Sequence, residues 1–155
     1  SYYVIPSKTQ SWNDKALILV ANSNTSAFGG LWEIADLSHS RKIVVTDNGV
    51  ETINICDFLI RGEYVYVLSY IPHYGVKPNK PAQTAVVFTN IVSRSKDLIN
   101  WETVCKFSSN NGVFARSFEE VNGDFYFGCS CDVANGFTSG KLRDSGAILK
   151  FSNVI

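Results

Sequence analysis

The stretch Arg61-Gly62-Glu63-Tyr64-Val65-Tyr66-Val67 has a counterpart at Asn122-Gly123-Asp124-Phe125-Tyr126-Phe127. In both, a Gly beside an acid makes a tight turn that feeds a strand apolar at nearly every position. A weaker copy reads Asn13-Asp14-Lys15 followed by Ala16-Leu17-Ile18-Leu19-Val20. A half-exposed strand alternates polar and apolar residues, whereas these do not, so both of their faces are expected to be covered. The three strands belong inside a stack of sheets.

Working outward, each such strand is followed after a loop by a second shared pattern. Leu31-Trp32-Glu33-Ile34-Ala35-Asp36-Leu37, Val92-Ser93-Arg94-Ser95-Lys96-Asp97-Leu98 and Ile148-Leu149-Lys150-Phe151-Ser152-Asn153-Val154 each end a strand with Asp or Asn before Leu or Val. Asp and Asn favour turns there because their side chains bond nearby backbone. A further short strand is expected around Ile43-Val44-Val45 and Trp101-Glu102-Thr103-Val104. Upstream of the turns, Tyr3-Val4-Ile5, Ile53-Asn54-Ile55-Cys56 and Val113-Phe114-Ala115 supply a first strand. The fold class that follows is all-β: about three antiparallel meanders, nominally four-stranded, in one domain over residues 1–155, with units of about 1–48, 49–110 and 111–155. A β-sandwich shares this turn spacing and is the alternative.

Composition narrows the partners. Apolar residues make up 45% and charged ones 18%, which suits a packed core rather than disorder. Lys plus Arg and Asp plus Glu are 14 each, so no net field draws a polyanion and nucleic acid is not an expected partner. No apolar run approaches the ~20 residues of a membrane helix, so no membrane insertion is expected. Cys56, Cys105, Cys129 and Cys131 lack the spacing of a disulfide framework and read as small apolar groups. His39 and His73 lie far from the Cys129–Cys131 pair, so neither a metal nor another cofactor is expected.

At Ser95-Lys96-Asp97-Leu98-Ile99-Asn100-Trp101-Glu102 the chain resembles the Ser-x-Asp…Trp turn of sialidase-type Asp-box propeller blades, and still more the Ser-x-Asp-Leu-x-x-Trp turns of furanosidase-like glycoside hydrolases. Asp36-Leu37 lacks the Ser and the Trp of that motif, and Ser152-Asn153 has no following strand. The resemblance implies β-propeller-like blades, in which this turn joins third and fourth strands and its Trp packs between blades. Low charge with many Ser, Asn, Tyr and Phe is also similar to bacteriophage tail fibres and receptor-binding proteins, which favours an extracellular or virion setting over a cytoplasmic one. Three blades are too few for a ring, since propellers use ~4 to 8. Missing blades from another chain segment or a second copy, or a borrowed edge strand, are therefore expected.

In a propeller, the loops joining second to third and fourth to first strands open onto one face, where ligands bind. The second-to-third loops are expected at 22–30, 71–83 and 132–144, the last two longer than a bare hairpin requires. They hold His73, Tyr74, Lys77, Lys80, Phe137, Lys141 and Arg143, aromatic platforms and donors suited to a glycan or a cell-surface receptor. Arg116, in a first strand, joins His73, Tyr74, Phe137 and Arg143 as a candidate ligand-binding residue. A bulge before Asn122 would alter which of its neighbours share its face. For a glycosidase the candidate carboxylate pair is Asp57 with Glu120. The acidic triad of furanosidase-like enzymes and the arginine cluster and Tyr nucleophile of sialidases are not matched residue by residue. The expected function is a carbohydrate or receptor-binding module. A propeller-type glycoside hydrolase and a structural or assembly domain are the alternatives.

Overall fold

A computed structural model describes residues 6–20, 29–76, 83–110, 113–131 and 146–155, and they form an all-β molecule. Strands β1 (Pro6–Trp12), β2 (Lys15–Val20), β3 (Gly30–Asp36) and β4 (His39–Lys42) make a first meander. A small hairpin, β5 (Thr46–Asp47) and β6 (Val50–Glu51), leads to a second: β7 (Ile55–Arg61), β8 (Tyr64–Val76), β9 (Gln83–Ser95) and β10 (Glu102–Asn110). Among the described residues the third has three strands, β11 (Val113–Val121), β12 (Asp124–Cys131) and β13 (Ile148–Phe151). Every pairing is antiparallel.

The first-to-second turns are primed hairpins, as their residues require. Asn13 and Asp14 both have positive φ, as do Asn122 and Gly123, whereas at Gly62-Glu63 only the glycine does. Counting out from these turns along the ladders, Ala16, Val65 and Phe125 occupy one position, facing Ile34, Ser95 and Phe151 in the third strands. Two residues further, Asp36, Asp97 and Asn153 coincide. The first strands share an irregularity too: the ladders slip between Pro6 and Lys8, Ile55 and Asp57, and Ala115 and Ser117. The extra residues are Ser7, Cys56 and Arg116, at one equivalent position in each unit. Three copies of one backbone plan are thus superposed on three different sequences.

Of the three second strands, packing among the described residues covers both faces only in β8; β2 and β12, also expected inside a stack, are covered on one face, with Ala16, Ile18 and Tyr126 only partly buried. One apolar layer joins Leu17, Leu19 and Leu31 of the first sheet to Phe58, Val65 and Val67 of the second. The other joins Leu59, Tyr66, Leu68 and Val92 to Phe118, Phe125 and Phe127 of the third. Alternate residues of β8 therefore enter opposite layers, and Val65, Tyr66, Val67 and Leu68 are all buried. Full burial of each such side chain is worth ~1.5–3 kcal/mol, so these layers outweigh the exposed ion pairs at the rim. Aromatic contacts knit the second layer, with Phe107 at 4.9 Å from Phe127 and 4.7 Å from Phe151, centroid to centroid.

The turn from β9 to β10 is built by side chains. Ser95 Oγ accepts the Leu98 N–H at 2.9 Å, and Asp97 Oδ1 accepts the N–H groups of Ile99 and Asn100 at 2.9 and 2.8 Å. Donation from the Asn100 backbone, then from its side-chain amide, then from the Ile99 N–H holds the Asp97 carboxyl well below the usual range. Leu98, at positive φ, and Trp101 are thereby driven into the layer between the first and second sheets.

Several expectations shift. In the first unit the fourth strand is His39–Lys42, while Ile43 and Val45 lie outside any strand as buried core residues. The first strands of the second and third units extend to Arg61 and Val121, because they must reach the hairpins. The expected loop 71–83 is instead, over residues 71–76 and at Gln83, a continuation of the β8–β9 ladder as a long arm, Ile71 pairing with Thr89 and Tyr74 with Ala85. The predicted strand at 3–5 lies outside the described residues, as does most of the predicted loop 22–30.

The three first strands meet at Asp57. Its Oδ1 accepts Lys8 Nζ of β1 at 3.0 Å and its own Phe58 N–H at 2.9 Å, while Oδ2 accepts the Phe118 N–H of β11 at 3.1 Å. Asn90, buried in β9, likewise accepts the Ala115 N–H at 2.8 Å. Two side chains of the middle sheet thus satisfy amides of β11 on either side of its bulge. Asp57→Ala is expected to cost about 1–3 kcal/mol, since it leaves the Phe118 amide without its acceptor and Lys8 with only the Phe58 carbonyl. Urea unfolding, with Asp57→Asn losing less, measures it.

Candidate functional site

A cleft of about 520 Å³ opens where the connection from the first to the second meander passes the β8–β9 arm. Its walls are Val50 to Asn54 on one side and Tyr70, Ile71, Pro72, Tyr74 and Phe88 on the other. These are a fourth-to-first-strand connection and the approach to a second-to-third-strand loop, the two kinds of segment expected to share a ligand face. The volume lies within the ~300–1,000 Å³ typical of small-ligand sites.

Local sequence explains the walls. Asp47-Asn48-Gly49-Val50 forms a tight β5–β6 turn with Asn48 and Gly49 at positive φ. The hairpin is pinned to β10 because Asp47 accepts Thr103 Oγ1 at 2.6 Å and Lys106 Nζ at 2.5 Å. Those contacts, the Lys106 bond first and the Thr103 bond second, hold the Asp47 carboxyl below its usual range. Thr52 returns the chain to the core by donating its N–H to the Val45 carbonyl at 2.8 Å. Val50, Glu51 and Ile53 are left exposed along the rim.

The opposite wall is aromatic. Tyr70 and Phe88 pack edge-on with centroids 5.6 Å apart, and both lie tilted against Phe114 of β11, at 4.3 and 5.0 Å. Tyr74 stands 61% exposed at the mouth, so its ring offers a face to solvent. Pro72 extends the apolar wall. The cleft therefore combines an aromatic platform with the carboxylate of Glu51 and the amide of Asn54, a donor and acceptor set suited to hydroxyls.

The residues singled out from sequence fall in four places. Tyr74 lines the cleft. Arg116 is the bulged residue of β11, so the bulge sits there rather than before Asn122. Its guanidinium lies 4.8 Å from the centre of the Phe114 ring, behind the aromatic wall. His73 points away from the cleft, with Nε2 2.8 Å from Thr89 Oγ1. Asp57 is the first-strand junction already described. Glu120 lies at the hairpin end of β11, where it accepts the Gly123 N–H and pairs with Arg61 Nε at 3.3 Å. The cleft contains neither carboxylate of that pair, and the oxygens of both are engaged in internal contacts. Phe137 and Arg143, with Lys77, Lys80 and Lys141, lie outside the described residues.

Sequence reasoning missed Glu51, Asn54, Tyr70 and Phe88. The Asn48-Gly49 pair was the available signal for the hairpin that presents Glu51. Tyr70 and Phe88 were hidden inside strands that read as core. Among the described residues no group of three or more His, Cys, Asp or Glu side chains could hold a metal ion, and no helix is long and apolar enough to cross a membrane. No family model, curated protein or solved structure matches the chain.

Cys56, the bulged residue of β7, packs against the Phe88–Phe114 pair behind the cleft. Burial pushes its thiol up to about 12. In the native protein at pH 8 it should resist a thiol-specific disulfide reagent, reacting only after denaturation; site-resolved labelling by mass spectrometry checks this. Asp47 supplies a pH dependence of the opposite kind. Its folded pKa lies below the unfolded ~3.9, so its contribution is complete at neutral pH and is lost as pH falls below about 4. Asp47→Asn should flatten acid destabilisation in that range, measured by urea unfolding as a function of pH.

Proposed function

We propose that the chain is a carbohydrate-binding or cell-surface-receptor-binding module of propeller-like construction, with its ligand in the cleft between β6–β7 and the β8–β9 arm. The observation that carries this reading is the exposed Tyr74 ring set beside Tyr70, Phe88 and Pro72 and facing Glu51 and Asn54. Sugar rings present apolar C–H faces and equatorial hydroxyls, which an aromatic platform flanked by a carboxylate and an amide can meet together. Arg116 would act from behind, by holding the Phe114 ring on which Tyr70 and Phe88 rest. An extracellular or virion setting fits such a module, and so does a role on a phage fibre.

The glycosidase alternative has less behind it. Asp57 spends its oxygens on Lys8 and two backbone amides, and Glu120 spends its own on Arg61 and a hairpin amide. A carboxylate committed in this way is poorly placed to hold or deliver a proton to a leaving oxygen. Binding without turnover is the simpler use of these residues.

A panel of neutral and acidic oligosaccharides, screened by glycan array and followed by calorimetry, tests the reading. Tyr74→Ala is expected to weaken binding about tenfold, since loss of one stacking platform costs on the order of 1.4 kcal/mol. Its melting temperature should stay close to that of the parent, because the ring is exposed. Binding unaffected by both Tyr74→Ala and Glu51→Gln would remove the cleft from consideration.

A further inference from the structure

The three sheets stack in one sense. In each meander the face bearing Ala16, Val65 or Phe125 can be called the front, and the face bearing Leu17, Tyr66 or Tyr126 the back. The back of the first sheet packs on the front of the second, and the back of the second on the front of the third. Such contacts are heterologous: they join unlike surfaces, and each leaves one front and one back to be used again. Among the described residues, the two left over are the front of the first sheet and the back of the third.

Both surfaces keep features of the interfaces already formed. The front of the first sheet carries Ala16, Ile18 and Ile34, close together across β2 and β3 and only half-buried. Their equivalents Val65 and Val67 in the second sheet, and Phe125 and Phe127 in the third, are fully buried against a preceding sheet. The back of the third sheet carries Tyr126 beside Lys150, whose Nζ lies 5.5 Å from the ring centre. The same two positions in the second sheet hold Tyr66 and Arg94, with Arg94 Nη1 donating to Tyr66 Oη at 3.4 Å. There Tyr66 is 2% exposed, closed off by Phe125 at 5.9 Å. On the third sheet Ile148 stands 76% exposed on the back, directly opposite Gly128 in the ladder. A cation and a tyrosine at matching places mark the back face in both sheets.

We propose that the front of the first sheet of one copy packs on the back of the third sheet of a second copy, and reciprocally, so that two chains close head to tail. Six sheets result, within the ~4 to 8 that closed propellers use. The occupant is a second copy because the surfaces left over are the two halves of the one interface this chain makes twice within itself. The arrangement does not depend on what the cleft binds.

Two surface variants test it. Ile148→Glu blocks the back of the third sheet at an exposed position, and Ile34→Lys blocks the front of the first; Ser40→Arg, exposed on that same front and outside the core, serves if Ile34→Lys fails to fold. Circular dichroism and cooperative unfolding establish that each is folded. By sedimentation at tens of micromolar, the parent chain is expected to be a dimer and each variant a monomer. A mixture of a front-blocked and a back-blocked variant should regain dimers, because one intact front then meets one intact back. A strictly monomeric parent, a series running beyond dimer, loss of dimer in only one variant, or no recovery on mixing would each overturn the proposal.

Discussion

The middle sheet is buried on both sides, and the rest of the molecule is arranged around that fact. Phe58, Val65 and Val67 fill one layer while Leu59, Tyr66 and Leu68 fill the other, so the central residues of β7 and β8 have no face left for water. A strand in that position cannot slip by one residue without exchanging its two sets of side chains between layers of different shape. Valines meet leucines on one side, whereas aromatic rings meet aromatic rings on the other. Register is therefore set by packing from two directions, and the ends of β8 and β9 are free to run on as the arm that walls the cleft.

Repetition explains what was legible in the sequence. Continuous apolar runs after Gly62 and Gly123, and the Asp or Asn that closes each third strand, reported the repeat because every unit must solve the same turn and pack at least one face on a neighbouring sheet. Asp36, Asp97 and Asn153 each lie two residues beyond an equivalent ladder position although little else around them is alike. The Ser95–Trp101 turn was legible for a related reason: its hydrogen bonds are local, made between residues two or three apart.

The candidate site was much less legible, and the reason is geometric. Tyr74 stood out as an aromatic in an expected loop, yet Tyr70 and Phe88 sit within strands, where a tyrosine or phenylalanine reads as core. Their alignment with Glu51 and Asn54 depends on a hairpin pinned by Asp47 to Thr103 and Lys106, contacts that span 56 and 59 residues. Local patterning carries no record of such distant pairs. Asp57 misled in the opposite direction, since a carboxylate in a first strand has the look of a channel residue. Its partners, Lys8 and the Phe118 amide, are 49 and 61 residues away.

That junction makes the units unequal. The positions matching Asp57 are Lys8 in the first unit and Ser117 in the third, so one strand brings the anion, one brings the cation and one offers a backbone N–H. The backbone plan is repeated, but the keystone is not, and only the order found here places the carboxylate between its two clients. The repeats are therefore not interchangeable parts: reshuffling them would preserve every meander and still leave the centre unlocked.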